Sequence, residues 1–256
     1  MKVVILCGGK GTRMREETEY RPKPLVDIGG KPIIWHIMKI YSSYGFNDFI
    51  LCVGYKGEMI KQYFVDMYWR NNDFTLHSDG DKKIEYHTKE EDNWNITIVD
   101  TGIETMTGGR LKQVEKYIDD EEFMFTYGDG LSNVNILKLL AFHREKNRIG
   151  TLTGINPISS FGVMEVEDGI INAFKEKPVL KDWINGGFMV FNKKVFEYLP
   201  NEDCFFEQEP IRKLAKDKQL AVYEHNGFWA AIDTFKDVEA INKLWDKGDH
   251  LWTVEE

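Results

Sequence analysis

The feature that most constrains the fold is an alternation of short, continuously apolar segments with longer segments of helical periodicity. Residues 3–7 (VVILC) and 48–54 (DFILCVG) have the composition of strands buried on both faces of a sheet. Residues 32–44 and 56–69 have the pattern of helices, and a proline stands near the start of the first. This alternation predicts a mostly parallel sheet with helices on both faces.

The same patterns predict the remaining elements of a single α/β domain over residues 1–256. We expect strands at residues 95–99, 123–127 and 187–191, and helices at residues 110–117, 135–145, 207–215 and from a Thr234 cap to about residue 247. Residues 162–175 (GVMEVEDGIINAFK) predict two strands joined by a turn at Asp168-Gly169. Residues 71–94 are polar and aromatic, and we interpret them as an insertion that is mobile or joins subunits.

Composition argues against several classes of protein. A formal net charge of -9 does not suit a nucleic-acid-binding or membrane-surface protein. No apolar run approaches the ~18 residues of a membrane span. The three cysteines are isolated, which argues against a disulfide framework or a zinc site, and the six histidines have no ligand spacing. Since the chain opens without the pattern of a secretory signal, we expect a cytoplasmic protein.

A glycine-rich stretch with two cations follows the first predicted strand directly. Residues 8–13 read GGKGTR, and Lys23 stands between two prolines. Glycines let backbone N–H groups approach a phosphate chain, while Arg13 offers a fork of donors and Lys23 a point charge. The spacing is neither that of a P-loop nor that of a dinucleotide site. The pattern indicates a phosphate-binding loop, and an ordinary tight strand-to-helix turn is the alternative.

Taken together, the motifs resemble those of the sugar-1-phosphate nucleotidyltransferases. They are GGKGTR (8–13), PKP (22–24), YGDG (127–130), EKP (176–178), NGGF (185–188) and the region of Asp233. VDTGIETMTGGRLK (99–112), FTYGDG (125–130), INGGF (184–188), EQEP (207–210) and GFWAAIDT (227–234) resemble the branch that transfers a cytidylyl group to glucose 1-phosphate. Cys7 and Lys10 depart from the family, which more often has alanine and leucine there.

The resemblance implies a function and a fold. The expected reaction joins CTP to α-D-glucose 1-phosphate and releases CDP-glucose and pyrophosphate, for deoxysugar and O-antigen-type polysaccharide synthesis. The implied fold is a Rossmann-like sheet flanked by helices, in which residues 1–130 mainly bind the nucleotide and residues 131–256 form a sugar-binding elaboration. A homo-oligomer is implied as well. There are two alternatives. One is a non-catalytic regulator that binds a nucleotide sugar, and the other is a transferase that uses UTP, dTTP or another sugar phosphate.

The chemistry needs cations, backbone N–H groups and a divalent metal rather than a general base. The attacking phosphate monoester is already anionic near pH 7, because its second pKa is about 6. Catalysis then consists mostly of positioning and electrostatic stabilisation. By resemblance, Asp129 and Asp233 hold Mg2+, although a turn residue and a helix cap are the ordinary interpretations of these two positions.

The remaining roles also come from the resemblance. Lys177 is expected to bind the sugar phosphate and Glu176 the sugar hydroxyls, unless the pair is only a charged strand exit. Residues 107–110 are expected to read the base, unless Arg110 is a solvated charge. The full substrate-binding set is Leu6, Cys7, Gly8, Gly9, Lys10, Gly11, Thr12, Arg13, Lys23, Thr107, Gly108, Gly109, Arg110, Gly128, Glu176, Lys177, Asn185, Gly186 and Gly187, with Arg13, Lys23 and Lys177 acting in catalysis.

Overall fold

The predicted α/β architecture is confirmed in a computed structural model of the chain, which describes residues 1–78, 83–87, 92–159, 161–200 and 203–253. The strands are β1 (Lys2–Leu6), β2 (Asp27–Ile28), β3 (Lys31–Pro32), β4 (Asp48–Val53), β5 (Phe74–Leu76), β6 (Ile84–Tyr86), β7 (Asn95–Asp100), β8 (Glu122–Tyr127), β9 (Gly130–Ser132), β10 (Gly150–Ile155), β11 (Val163–Glu167), β12 (Ile170–Lys175), β13 (Ile184–Asn185), β14 (Met189–Asn192), β15 (Leu220–His225) and β16 (Trp229–Ala231). The helices are α1 (Arg15–Thr18), α2 (Ile33–Ser42), α3 (Gly57–Asn71), α4 (Thr107–Val114), α5 (Ile136–Lys146), α6 (Glu209–Lys216) and α7 (Phe235–Asp246).

The central sheet has a parallel half and a mixed half. Strands β8, β1, β4 and β7 lie side by side and parallel, in that order. Beyond β8 the sheet continues through antiparallel β14 to β10, and β15 runs parallel to β10 on its far side. Our sequence analysis assigned no element to β10 or β15. The sheet is therefore wider than the sequence patterns predicted.

Strand β1 shows why the apolar runs become central strands. Its side chains alternate between two buried clusters, with Val3 and Ile5 on one face and Val4 and Leu6 on the other. Helix α2 covers the first face and contributes Ile37, whereas α4 covers the second face. A strand covered on both faces excludes water from both, so it needs apolar side chains at every position.

Two loops of the predicted site are brought together where β1 and β8 end. Leu6 pairs with Tyr127 in the register of the two strands, and the N–H of Gly128 donates to the carbonyl of Leu6 at 2.9 Å. The glycine-rich loop and the YGDG loop are consequently neighbours at the carboxyl edge of the sheet. This edge is where open α/β sheets bind ligands.

Smaller elements agree with several predictions. Strands β11 and β12 form the predicted hairpin, and Thr234 caps α7 through a reciprocal capping box with Asp237. Within the insertion at residues 71–94, β5 and β6 pair as antiparallel strands, and residues 79–82 and 88–91 lie outside the described residues. Among the described residues, no helix combines the length and the hydropathy that crossing a membrane requires.

The segment after α7 folds back into the core, which the sequence patterns did not predict. Trp252 is 0% exposed, and its indole N–H donates to Nδ1 of His36 at 3.2 Å. The Nε2 of His36 lies 2.8 Å from the carbonyl of Ile28, so a neutral ring that donates from Nε2 satisfies both contacts. Burial lowers the pKa of His36 to about 4, which keeps the ring neutral at physiological pH.

We predict that Trp252→Ala lowers the free energy of unfolding by about 3–5 kcal/mol, because it removes a fully buried aromatic side chain and leaves a cavity. Leu251→Ala is the matched control, since that neighbouring side chain is 46% exposed. Urea unfolding of both variants measures the difference. Equal destabilisation by the two substitutions would contradict the docking of this segment.

Candidate active site

A cavity of about 560 Å³ opens at the carboxyl ends of β1 and β8. Its walls come from five parts of the chain that are far apart in sequence. They are residues 6–13 with Lys23 and Pro24, residues 103–107 with Arg110, residues 127–129, Phe205, and Asp233. Most of the residues that we assigned to the nucleotide therefore share one cavity.

Two cations and two carboxylates meet on one side of this cavity. The ammonium of Lys23 lies 2.7 Å from Oδ2 of Asp129 and 2.6 Å from Oδ1 of Asp233. Arg13 donates to the other oxygen of Asp233 at 2.5 Å. The Lys23 side chain is only 11% exposed, whereas that of Arg13 is 72% exposed. The four charges form a compact, locally neutral group, and Lys23 is its enclosed centre.

Local structure explains how these side chains converge. Lys23 begins a short 3-10 helix, Lys23–Leu25, in which Pro24 restricts the backbone. Strand β9 pairs with β16, so the carbonyl of Asp129 accepts a bond from the N–H of Ile232, next to Asp233. The cap of α7 is Thr234, which leaves the carboxylate of Asp233 free to face Lys23.

The donor chemistry of this group fits a divalent metal ion. Asp129 and Asp233 contact the same ammonium, so both carboxylates already face a single cationic position. Magnesium prefers oxygen ligands and is commonly held by one or two carboxylates together with substrate phosphates and water. No group of three or more His, Cys, Asp or Glu side chains is arranged for a metal within the described ranges. Asp129 and Asp233 are the two carboxylates of this group that could hold a divalent cation.

Arg110 lines the cavity and holds two of its loops in place. It is 4% exposed, and its guanidinium donates to the carbonyls of Val53, Gly8 and Ile103 and to the hydroxyl of Thr101, at 2.6–3.3 Å. Burial lowers the pKa of the guanidinium, although an arginine keeps its charge in proteins. Arg110 is therefore not a solvated charge. Because its donors are engaged by protein acceptors, it holds the glycine-rich loop and the 101–103 loop in place.

Of the other three residues predicted to read the base, one lines the cavity and two do not. The Thr107 side chain lines the cavity at the start of α4. Gly108 and Gly109 do not line it, and both pack against the 203–206 segment. A Cβ on Gly108 would lie 2.5 Å from Sγ of Cys204, and one on Gly109 would lie 2.1 Å from Oδ1 of Asp203. Close packing accounts for both glycines, and their contact with a base stays a prediction.

The residues assigned to the sugar do not line this cavity. Asn185 contacts a residue that does line it, since its amide donates to the hydroxyl of Tyr127 at 3.2 Å. Gly186 accepts a bond from the indole of Trp229, and Gly187 has a φ of 74° that a side chain would strain. Glu176 and Lys177 follow the exposed hairpin of β11 and β12. The sugar-binding roles of these five residues therefore stay predictions.

The family model for the nucleotidyl transferases matches residues 2–248. The chain belongs to the nucleotidyl transferase family. It is 52% identical over 256 residues to a probable glucose-1-phosphate cytidylyltransferase of Bacillus subtilis, covering 99% of this chain and 100% of that one. It is 46% identical over 254 residues to a glucose-1-phosphate cytidylyltransferase of Salmonella typhi, covering 98% of each. The resemblance noted in the sequence is thereby confirmed.

Solved structures of nucleotidyl transferases also share the fold. A UDP-glucose pyrophosphorylase complexed with UDP-glucose superimposes with a TM-score of 0.69 at 18% identity, covering 96% of this chain and 98% of that chain. At this identity the comparison bears on the fold alone. It agrees with the central, mostly parallel sheet described above.

Cys7 and Lys10, two residues predicted to bind the nucleotide, lie in the cavity wall. Burial raises the pKa of the Cys7 thiol well above its usual value, so the group is a neutral thiol. Lys10 forms an ion pair with Glu104 at 2.6 Å, which joins the glycine-rich loop to the opposite wall. Sequence reasoning missed Glu104, Met106 and Phe205, because nothing in their local patterns points to a ligand.

We predict that Gly8→Ala destabilises the protein by about 1–3 kcal/mol, because the new methyl group would overpack the site. Its Cβ would lie 2.0 Å from a guanidinium nitrogen of Arg110, which is buried and held by four acceptors. Gly9→Ala is the matched control for stability, since nothing lies within 4 Å of its Cβ. Urea unfolding compares the two variants. A Gly8→Ala variant as stable as Gly9→Ala would show that Arg110 does not support the loop.

Proposed function

We propose that this chain transfers a cytidylyl group from CTP to α-D-glucose 1-phosphate and releases CDP-glucose and pyrophosphate. The observation that carries the proposal is the convergence of Arg13, Lys23, Asp129 and Asp233 on a cavity beside a glycine-rich loop. A protein that only binds a nucleotide sugar has no need for both carboxylates and the enclosed lysine. The names of the two relatives support this choice of substrates.

In this proposal the chain acts by positioning and by electrostatics. The sugar phosphate attacks the α-phosphorus of CTP as an anion, so no side chain needs to remove a proton. The backbone N–H groups of residues 8–11 and the fork of Arg13 bind the phosphates of CTP. Lys23 supplies a positive charge from an enclosed position, where screening by water is weak and a fixed charge stabilises a transition state best.

Asp129 and Asp233 would hold Mg2+. Held there, the ion would supply positive charge that neutralises the α-phosphate. To hold one ion, the carboxylates of Asp129 and Asp233 have to stay close to each other. Two structural features keep them there. The pairing of β9 with β16 fixes Asp129 against Ile232, and the N–H of Asp233 donates to the carboxylate of Asp237 at 3.1 Å.

The sugar phosphate is assigned to the second part of the chain. Lys177 would bind its phosphate and Glu176 its hydroxyls, while Asn185, Gly186 and Gly187 would form the wall beside the sugar. The link from Asn185 to Tyr127 supports this assignment, since Tyr127 lines the cavity. A division into a nucleotide part at residues 1–130 and a sugar part at residues 131–256 remains a prediction, and Phe205 and Asp233 of the second part also line the cavity.

Assembly, location and pathway are further parts of the proposal. The hairpin of β11 and β12 supports a homo-oligomer, because Val166, Ile170 and Phe174 are exposed on a two-stranded element that would be marginally stable alone. A cytoplasmic location and a place in deoxysugar and O-antigen-type polysaccharide synthesis are expected from the sequence.

We expect CTP with α-D-glucose 1-phosphate to be the best pair when pyrophosphate release is screened over the common nucleoside triphosphates and several sugar 1-phosphates. Reactions of the wild-type protein from which one of the two substrates is omitted serve as controls. If UTP or dTTP exceeds CTP about tenfold in kcat/KM, which is about 1.4 kcal/mol of transition-state preference, the cytidylyl assignment is wrong. Binding of the ligands without pyrophosphate release from any pair would instead indicate a regulator.

We expect Asp129→Asn and Asp233→Asn each to lose activity that higher magnesium partly restores. Each change removes one anionic ligand but preserves the shape of the side chain, so folding should survive. Magnesium titrations of the initial rate measure the effect, and Asp246→Asn, at the exposed last residue of α7, controls for the lost negative charge. A normal rate with normal magnesium dependence would remove that aspartate from the site.

A further inference from the structure

The carboxylate of Glu207 joins two walls of the candidate active site. Its Oε2 accepts a hydrogen bond from the hydroxyl of Thr107 at 2.6 Å, and its Oε1 accepts one from the hydroxyl of Tyr127 at 2.7 Å. Thr107 is the first residue of α4 and Tyr127 is the last residue of β8. Both line the cavity, whereas Glu207 is an exposed residue shortly before α6 that does not line it.

The directions of the surrounding hydrogen bonds require a hydrogen-bond acceptor at the position of the Glu207 side chain. The hydroxyl oxygen of Thr107 accepts the N–H of Phe206 at 2.8 Å, and that of Tyr127 accepts from the amide of Asn185 at 3.2 Å. Each hydroxyl proton is therefore directed towards Glu207. An ionised carboxylate is the side-chain group that accepts with both of its oxygens and donates with neither.

The network continues to the sugar side. The side-chain oxygen of Asn185 accepts the N–H of Gly187 at 3.1 Å, which sets the orientation of the amide. Tyr127 stays a neutral donor, because burial, with the charge of Glu207 as a smaller contribution, raises the pKa of its hydroxyl well above the usual value. A chain of hydrogen bonds thus connects the cavity wall at Thr107 with the predicted sugar wall.

We propose that Glu207 is a positioning residue that holds the nucleotide wall at Thr107 and the sugar wall at Asn185 in one fixed arrangement. This inference rests on the proposed function, since it concerns how the two substrates are aligned for attack. In-line transfer depends on this alignment, and a small misplacement of either substrate is costly. Glu207 acts through Thr107 on the nucleotide and through Tyr127 and Asn185 on the sugar phosphate.

The test compares Glu207→Gln with Glu209→Gln in the full-length protein. Glutamine has nearly the same shape as glutamate but replaces one acceptor by an NH2 donor. If Glu207 only filled space, Glu207→Gln would therefore leave activity unchanged. Glu209 is an exposed glutamate at the first position of α6, and its substitution controls for the lost charge.

We expect Glu207→Gln to lower kcat/KM for both substrates about tenfold, as the loss of a hydrogen bond to a charged group implies. We expect Glu209→Gln to stay within about twofold of wild type, the usual scatter for a surface substitution.

Two further variants separate a positioning role from a general loss of structure. Tyr127→Phe should raise KM chiefly for glucose 1-phosphate, and Thr107→Val chiefly for CTP, because each breaks one arm of the network. Adding Tyr127→Phe to Glu207→Gln should cost little more on the sugar side than Glu207→Gln alone, as expected for residues that act through one contact. Equal effects of both single variants on both substrates, or additive losses in the double variant, would overturn the inference.

The readouts keep this inference distinct from the proposed function. If wild-type protein releases pyrophosphate from a different pair of substrates, the variants are compared with that pair, and only the substrate assignment changes. If wild-type protein releases none, the proposed function fails, and the positioning role in transfer fails with it. If wild-type protein is active and Glu207→Gln matches Glu209→Gln, the inference alone is wrong.

Discussion

The contact on which the candidate active site depends is the ammonium of Lys23 between the carboxylates of Asp129 and Asp233. It joins the 3-10 turn after the glycine-rich loop, the end of β8 and the start of α7. The Lys23 side chain is only 11% exposed. A charge as buried as this one is stable only when it is paired, because without its partners it would be desolvated without compensation. The backbone features that place these groups are therefore as important to the site as the charged side chains themselves.

A second requirement is that the loops around the cavity be held in place. Arg110 does this for the glycine-rich loop, and Glu207 does it for Thr107 and Tyr127. In both cases a charged side chain binds protein groups rather than lining the cavity with free donors or acceptors. Gly8 is consequently needed for the space that Arg110 occupies, in addition to any approach of a phosphate. Such supporting contacts reduce the motion of groups that must meet two anionic substrates in line.

Much of the fold was predictable wherever local pattern and burial agree. The apolar runs of β1, β4 and β8 are buried on both faces, the hairpin turns at Asp168-Gly169, and Thr234 caps α7, all as the sequence indicated. Strand β10 was missed because GTLTGI mixes threonine and glycine with few large apolar residues. Threonines of β10 are satisfied by tertiary contacts instead, since the hydroxyl of Thr153 donates to the carbonyl of Phe188 at 2.6 Å. A local pattern does not reveal such a partner.

The sequence by itself determined the α/β class, the family and the residue types that could handle phosphate, because each depends on short segments. It did not determine that Lys23 would meet Asp129 and Asp233, that Arg110 would be buried, or that Glu207 would join two walls. Those contacts include pairs that are 57 to 210 positions apart in the sequence. They follow from strand order and from pairings such as β9 with β16, which depend on how the whole chain packs. Only the tertiary structure decides them, since periodicity and composition describe each segment without its distant neighbours.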